Sequence, residues 1–343
     1  MSYGYIKGGE NLQKIALIPA YCPEDRMIGL IKELDTRGFA VVVIDDGSGS
    51  EYDTVFTSAQ QYATVKRYAP NRGKGEALKY GMRYIVEQFK APYIVVTADA
   101  DGQHRVEDIV KVSTTAAEHP DSLILGKRLL DKTAPLKSRI GNGITRVLYR
   151  MTTGRRIYET QTGLRAFSDK LLPRFLTLPG HRYEFEIDMI LDAAETDIIE
   201  VDIQTVYFDN NAASHFRPLQ DTVSLNKEFL RYKLPSINAG LAGVLLFVLI
   251  VNFGGTWMAA CILSRLFTIL LQFGLNRVVP FAEKPSVGRY LVTAAIILLC
   301  DVGVMWGLIS VGVNPYAAKL ISVIAMIFVS MLVRTVFMRV KFG

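Results

Sequence analysis

The sequence predicts an α/β domain followed by a bundle of four apolar helices, and three observations carry that expectation. Short apolar runs alternate with helical patterns in the first half, acidic or turn residues close those runs, and long uncharged stretches fill the last third. The chain has 343 residues, half of them hydrophobic and 21% charged, with a mean hydropathy of +0.22. That value is high for an ordinary charge content, so the apolar excess must be concentrated. Up to Lys233 charged and apolar residues mix as in a globular domain, whereas Leu241–Val251 carries no charge at all. The expected organisation is a globular domain over 1–215, an amphipathic segment over 216–233 and a helical unit over 234–343.

The elements of the first half follow in order. Residues 14–18 form an apolar run closed by Pro19, and Ala40–Ile44 form another closed by Asp45-Asp46-Gly47. Tyr93–Val96 form a third, ending in Thr97-Ala98-Asp99. Asp25–Arg37 and Lys74–Gln88 lie between them, with apolar side chains at helical spacing. Buried strands alternating with such helices predict a parallel α/β sheet. In such sheets ligands bind beyond the carboxyl ends of the strands, so the polar groups ending each run are where chemistry is sought. No internal repeat or low-complexity tract interrupts this half.

The second half predicts four membrane-crossing helices at about 234–251, 256–275, 288–311 and 316–333, each near the ~20 residues that span hydrocarbon. Lys227, Arg231 and Lys233 precede the first, Arg277, Lys284 and Arg289 lie between the second and third, and Arg339 and Lys341 follow the fourth. The remaining links hold no Lys or Arg, although Lys319 is close to one. The charge bias therefore places the globular half and both termini in the cytosol; the expected location is a prokaryotic plasma membrane, as a multi-pass protein. Arg265 and Asp301 fall about 15 and 20 Å inside the hydrocarbon from the cytosolic side, where ionisable groups pair or line a polar path. They are expected to face each other. The formal charge of +6 is not nucleic-acid-like, since no basic tract or zinc spacing accompanies it; it suits anionic phosphates at a membrane surface. Cys22, Cys261 and Cys300 are scattered, which implies neither a disulfide framework nor a metal knuckle, and the N-terminus lacks a secretory pattern.

The most informative strand end is Asp99-Ala100-Asp101-Gly102-Gln103-His104. Two carboxylates one residue apart after a buried strand suit Mg²⁺ or Mn²⁺, which also take oxygens from a diphosphate; a chance acidic loop is the competing reading. Asp45-Asp46-Gly47-Ser48 suits ribose hydroxyls, or is simply an acidic turn. Asn71-Arg72-Gly73-Lys74-Gly75 offers amides and cations ahead of a helix, an anion site or an ordinary N-cap loop.

Pro19-Ala20-Tyr21, Asp45-Asp46-Gly47-Ser48, Arg72-Gly73-Lys74-Gly75, Asp99 through His104 and Gln161-Thr162-Gly163-Leu164-Arg165 occur in that order. The set closely resembles glycosyltransferase family 2, in its dolichyl- or polyprenyl-phosphate hexose synthase branch, over about the first 220 residues. The helical remainder, with Phe273-Gly274-Leu275-Asn276-Arg277, is similar to the GtrA family. The resemblance implies a GT-A fold, a mixed sheet with flanking helices, with Asp99, Asp101 and Gln103 around a metal and the diphosphate. It implies nucleotide-sugar contacts from Pro19, Ala20, Tyr21, Val43, Asp45, Asp46, Lys74, Ala100, Arg128 and Gln161. It further implies an acceptor-phosphate set of Arg128, Ser214, His215 and Arg217, and a catalytic set of Asp101, Arg217 and Glu159. Cys22-Pro23 replace the Asn-Glu frequent after Pro-Ala-Tyr, Glu159 stands where Asp is common, and Glu184 and Glu186 fall at a supporting acidic pair.

The expected reaction is inverting transfer of one hexose from a UDP- or GDP-sugar to a polyprenyl or dolichyl phosphate. The basic, apolar stretches Lys170–Leu178 and Phe216–Lys233 are candidates to bring the lipid to the site. A phosphate acceptor is already anionic, so positioning and charge stabilisation suffice. A processive polysaccharide synthase is disfavoured because neither Trp257 nor Trp306 follows an Arg, as its Gln-x-x-Arg-Trp motif requires. A transporter role for the four helices, or assembly into a homo-oligomer through them, is compatible with the sequence.

Overall fold

The computed structural model describes residues 12–128, 143, 145–150, 153, 155–193, 197–204, 237–278 and 287–337. Two compact units emerge, Met1–Arg146 with Ile157–Leu225, and Val147–Arg156 with Asn226–Gly343.

The first unit is built on a seven-stranded sheet. Its strands are β1 (Gln13–Ala20), β2 (Ala40–Asp46), β3 (Thr64–Tyr68), β4 (Tyr93–Thr97), β5 (Ser122–Arg128), β6 (Arg165–Ser168) and β7 (Asp197–Ile203), in the order β3-β2-β1-β4-β6-β5-β7. Every neighbouring pair is parallel except β4–β6 and β5–β6, so β6 alone runs backwards. The sheet is thus mixed where the run of strands and helices had predicted a parallel one, and β6 is the reason. At only four residues it is too short to register as an apolar run.

Helices cover both faces. On one face α1 (Arg26–Thr36) presents Met27, Leu30, Ile31 and Leu34, one stripe of a 3.6-residue period. With α2 (Asp53–Ala59) and α4 (Val106–Glu118), it closes a core over Ala16, Ile18, Val41, Val43 and Val96. On the other face α3 (Lys74–Gln88) lies so close that a Cβ on Gly81 would be 3.1 Å from Ile44 and would overlap Leu17. Residues 16 and 18 therefore point to one layer and 17 to the other, the period-two alternation of a central strand. A short helix α5 (Leu172–Phe175) and α6 (Glu184–Asp192) follow β6.

Pro19 was expected to end β1, yet the strand runs on to Ala20. The Leu17 carbonyl accepts from the Ala98 amide, so the backbone groups of residues 17 and 19 face β4. The β1–β4 ladder stops at Leu17 opposite Thr97, so the missing N–H of Pro19 has no ladder partner to forfeit. The sheet's topological switch also lies here, because the chain winds outward from β1 to β3 and then returns to place β4 on the other side of β1.

The second unit holds α7 (Ile237–Asn252), α8 (Trp257–Val278), α9 (Val287–Ser310) and α10 (Pro315–Phe337), matching the four apolar segments of the sequence. Within α8 and α9, Trp257–Leu275 and Tyr290–Ser310 are long and apolar enough to cross a membrane; Ile237–Asn252 and Pro315–Ser330 are shorter apolar stretches. Two links reverse direction on glycines in the left-handed region, Gly254 (φ 85°) and Gly312 (φ 88°). In each, the next residue's amide reaches back to the helix, Gly255 to Ile250 and Val313 to Leu308, which satisfies carbonyls the helix end leaves open. Tyr316 joins these links by donating its hydroxyl to Asn252 at 2.6 Å. Phe247, Ala260, Cys261, Met305 and Ala318 form the buried apolar centre.

Candidate active site

The carboxyl ends of β1, β2, β4 and β5 come together with the start of β6, which reaches the same edge because that strand is reversed. Residues from all five motifs therefore meet along one edge of the sheet.

Asp99 and Asp101 follow β4. The Lys74 ammonium lies 2.6 Å from Asp99 Oδ1 and 3.0 Å from Glu186 Oε1. His104 Nε2 is 3.3 Å from Asp99 Oδ2. Burial alone would raise the Asp99 carboxyl, but Lys74 and His104 outweigh it and hold the group well below the usual carboxylate range. Asp101 goes the other way: desolvation first, and then the neighbouring Asp99 charge, push its carboxyl up. It accepts from the Gln103 amide at 3.0 Å. The two acids of one short motif are thus tuned apart, Asp99 neutralised by a lysine and Asp101 short of positive charge.

That difference bears on a divalent cation. Among the described residues no group of three or more His, Cys, Asp or Glu is arranged to hold a metal. The donors are carboxylate and amide oxygens from Asp101, Asp99 and Gln103, hard ligands that suit Mg²⁺ or Mn²⁺ when a diphosphate supplies the rest. Asp99 already has Lys74 as its cation, which would leave Asp101 as the principal protein ligand of such an ion. The donor set fits.

Two amides of the Asn71–Gly75 loop, those of Arg72 and Gly73, turn to an internal carboxylate. Asp46 Oδ1 accepts from the Arg72 amide at 2.7 Å and from the Tyr68 hydroxyl at 2.7 Å, and Oδ2 accepts from the Gly73 amide at 2.9 Å. The Glu76 amide goes to the His181 carbonyl. The anion these amides satisfy is internal, and its effect is to fix the start of α3 and aim Lys74 at Asp99. Asp45 is equally committed, accepting from the Ser48 amide at 2.8 Å and Arg67 Nε at 2.7 Å. Val43 is fully buried in the apolar core, so its side chain supports the site from beneath rather than lining it. Pro19 and Ala20 are buried at the end of β1, Ala100 is half-buried and Tyr21 is exposed at the mouth. Cys22 takes a positive φ of 51° beside them, its amide donating to Ser48 Oγ at 2.8 Å.

Glu159 is completely buried, and both its oxygens hold Arg128, from Nε at 2.8 Å and Nη2 at 3.1 Å. Its Oε1 also accepts from the Gln161 amide at 2.8 Å. Arg165, whose role sequence reasoning left unassigned, is buried beneath this loop. It donates to the Thr162 carbonyl at 2.9 Å and to the Glu186 carbonyl, while its Nη2 has no partner among the described residues. Desolvation lowers the Arg165 pKa. An Arg ending a polar motif and beginning a strand is the signal that could have marked it as an internal tie. Glu186 takes the supporting role its acidic pair suggested, through Lys74. Ser214, His215 and Arg217 lie outside the described residues.

Gly163 shows how tightly the Gln161–Arg165 loop packs on the acids. A Cβ there would lie 2.6 Å from Asp99 Cγ. Gly163→Ala should force Asp99 off Lys74 and reduce turnover about a hundredfold, the scale of an ångström misplacement at a reacting site. Steady-state kinetics on a variant that melts within a few degrees of the parent checks this.

Residues 16–176 match the family described as "Glycosyl transferase family 2". An uncharacterized protein of Methanocaldococcus jannaschii is 34% identical over 201 residues, spanning 56% of this chain and 80% of the relative. The chain belongs to glycosyltransferase family 2. Its activity is therefore glycosyl transfer from a nucleotide-sugar donor. A second similarity is to a UDP-N-acetylglucosamine–dolichyl-phosphate N-acetylglucosaminyltransferase of Methanococcus voltae, 26% identical over 221 residues, spanning 57% of this chain and 87% of that one. Among solved structures, glucosyl-3-phosphoglycerate synthase of Mycobacterium tuberculosis is similar at 19% identity and a TM-score of 0.47, covering 67% of this chain and 83% of its own.

Proposed function

We propose that this family 2 enzyme moves one hexose from a UDP- or GDP-linked sugar onto a polyprenyl or dolichyl phosphate at the cytosolic face of a membrane, inverting the anomeric carbon. The observation that carries the reading is the union in one chain of the Asp99–Lys74–Asp101 site with apolar helices of membrane-crossing length. The name of the Methanococcus voltae relative supports a lipid phosphate acceptor. The basic residues flanking the helices support a cytosolic catalytic unit, and the GtrA-like helices serve as its anchor.

The acceptor phosphate brings its own nucleophilic oxygen, so no strong base is required and catalysis rests on alignment and fixed charge. Glu159 fits this scheme as a positioning residue, since both its oxygens are spent on orienting Arg128. Arg128 meets donor phosphate, and Arg217, with Ser214 and His215 beside it, meets acceptor phosphate; a guanidinium engages two phosphate oxygens at once. Tyr21 and Ala100 flank the nucleotide, with Pro19 and Ala20 forming the floor, and Gln161 faces the sugar. Asp101, with Asp99 and Gln103 adjacent, would hold Mg²⁺ or Mn²⁺, which when bound would supply Lewis-acid neutralisation of the departing diphosphate.

The test is a panel of radiolabelled UDP- and GDP-hexoses with purified full-length protein, a short polyprenyl phosphate and either metal. One donor giving a β-linked lipid product is the expected result. Failure of every donor would overturn the acceptor assignment, and an α-linked product would overturn inversion.

A further inference from the structure

We infer that the helical unit contains a second anion site, centred on Arg265 and Lys319, which takes the phosphate group of a membrane lipid or free phosphate. It neither uses the catalytic site nor depends on the reading given for it.

Arg265 and Asp301 do face each other, as their positions in the sequence suggested, with Arg265 Nε donating to Asp301 Oδ2 at 2.8 Å. The pair has a third member. Lys319, on α10, donates to the same oxygen at 2.9 Å. Ser322, one turn on, donates to Oδ1, and the Cys261 thiol lies 3.6 Å from Oδ2. One carboxylate thus serves two cations, and the cluster carries an excess of one positive charge. Asp301 is inaccessible, and the Lys319 and Arg265 side chains are only 4% and 12% exposed.

An uncompensated charge among apolar helices is costly, and such groups recruit a partner. Phe247 gives Lys319 an aromatic face at 5.4 Å, a weak substitute for an anion. The buried Nη2 of Arg265 has no hydrogen-bond partner among the described residues. Donors therefore exceed acceptors and positive charge exceeds negative at one place. A phosphate group supplies both deficits, with several acceptor oxygens and a negative charge.

The surroundings favour a phosphate with a chain attached. Ile262 and Leu266, flanking Arg265 on α8, are exposed apolar residues, so a ligand reaching Arg265 runs along an apolar helix surface. Along their helices Lys319, Arg265 and Asp301 lie about 6, 12 and 14 Å from the ends at the Gly254 and Gly312 links, within reach of a headgroup drawn inward from that side.

The experiment uses full-length protein in nanodiscs, without donor or metal, and a photoreactive farnesyl monophosphate whose cross-links are mapped by peptide mass spectrometry. Cross-links are expected on α8–α10 peptides, suppressed by unlabelled farnesyl monophosphate and not by farnesol. Equal suppression by inorganic phosphate would support the site with free phosphate as its source. Arg265→Gln and Lys319→Gln should each weaken binding about tenfold, the loss of one charge-assisted hydrogen bond, and Arg265→Lys should retain most of it. Asp301→Asn raises the excess to two positive charges and should bind at least as well as the parent. Asp101→Asn, in the catalytic unit, should leave these cross-links unchanged even where transfer is lost. Equal competition by farnesol, parental binding in both glutamine variants, or loss of binding in an Asp301→Asn protein that melts like the parent would each overturn the inference.

Discussion

Asp101→Asn is expected to cut sugar transfer by about a hundred- to a thousandfold, the cost of removing one group that stabilises transition-state charge, without destabilising the fold. The second half of that result is the more diagnostic. Burial and the Asp99 charge both disfavour the ionised Asp101 carboxyl, so the native fold works against this group's charge at neutral pH. Asparagine keeps the shape and removes that penalty, and the variant should melt at or slightly above the parent temperature. A group whose ionised form is disfavoured by its surroundings is characteristic of a functional site. Asp99→Asn makes the contrast, because it leaves the buried Lys74 with Glu186 as its single described ion-pair partner and should lower the melting temperature. Thermal melts by circular dichroism, with radiolabel transfer on the same preparations, decide both. An Asp101→Asn protein that melts well below the parent would mean the carboxylate is a structural member of the fold.

Glu159→Ala is expected to destabilise the protein by about 3–5 kcal/mol, the usual cost of breaking a buried pair from one side. The glutamate is inaccessible and accepts two bonds from Arg128 and one from the Gln161 amide, so truncation strands three donors at once. Activity should fall with it, because Arg128 loses its orientation. Glu159→Gln separates positioning from proton transfer. It retains an acceptor for Arg128 Nε, so a positioning residue leaves measurable turnover with an unshifted pH profile. A general base would leave almost none.

The strands that were readable in the sequence are those buried on both faces and closed by polar motifs, β1, β2 and β4. The edge strand β3, Thr-Val-Lys-Arg-Tyr, carries two cations and has no buried residue, so its apolar signal is weak. β7, Asp-Ile-Ile-Glu-Val-Asp-Ile, mixes three acids into its apolar residues, and β6 is brief; both owe their state to neighbours far away in sequence. The site shows the same division. Asp99 and Asp101 were legible because two acids close a buried run, but nothing local says that one of them already has a lysine. That Asp46 turns inward to the 71–73 loop depends on β3 lying beside β2, a long-range fact. Lys319 was noted only as a charge near a link; its partner is 18 residues away, on another helix.

The reversed strand has one further consequence. The chain leaves the sheet after Arg128 and re-enters at Arg165, and Leu125 is the direct cross-strand partner of Arg165. Opposed residues in such a pair stand about 5 Å apart, so everything between departs and returns through one narrow gate. The returning end, Glu159 to Arg165, packs on Arg128 and on the acids and must stay, but the part before it can be lengthened, shortened or exchanged without altering strand register. Divergence in what the enzyme accepts can accumulate in residues 129–158 while the machinery that breaks the sugar–phosphate bond stays as it is, and a graft between relatives is best cut after Arg128 and before Glu159.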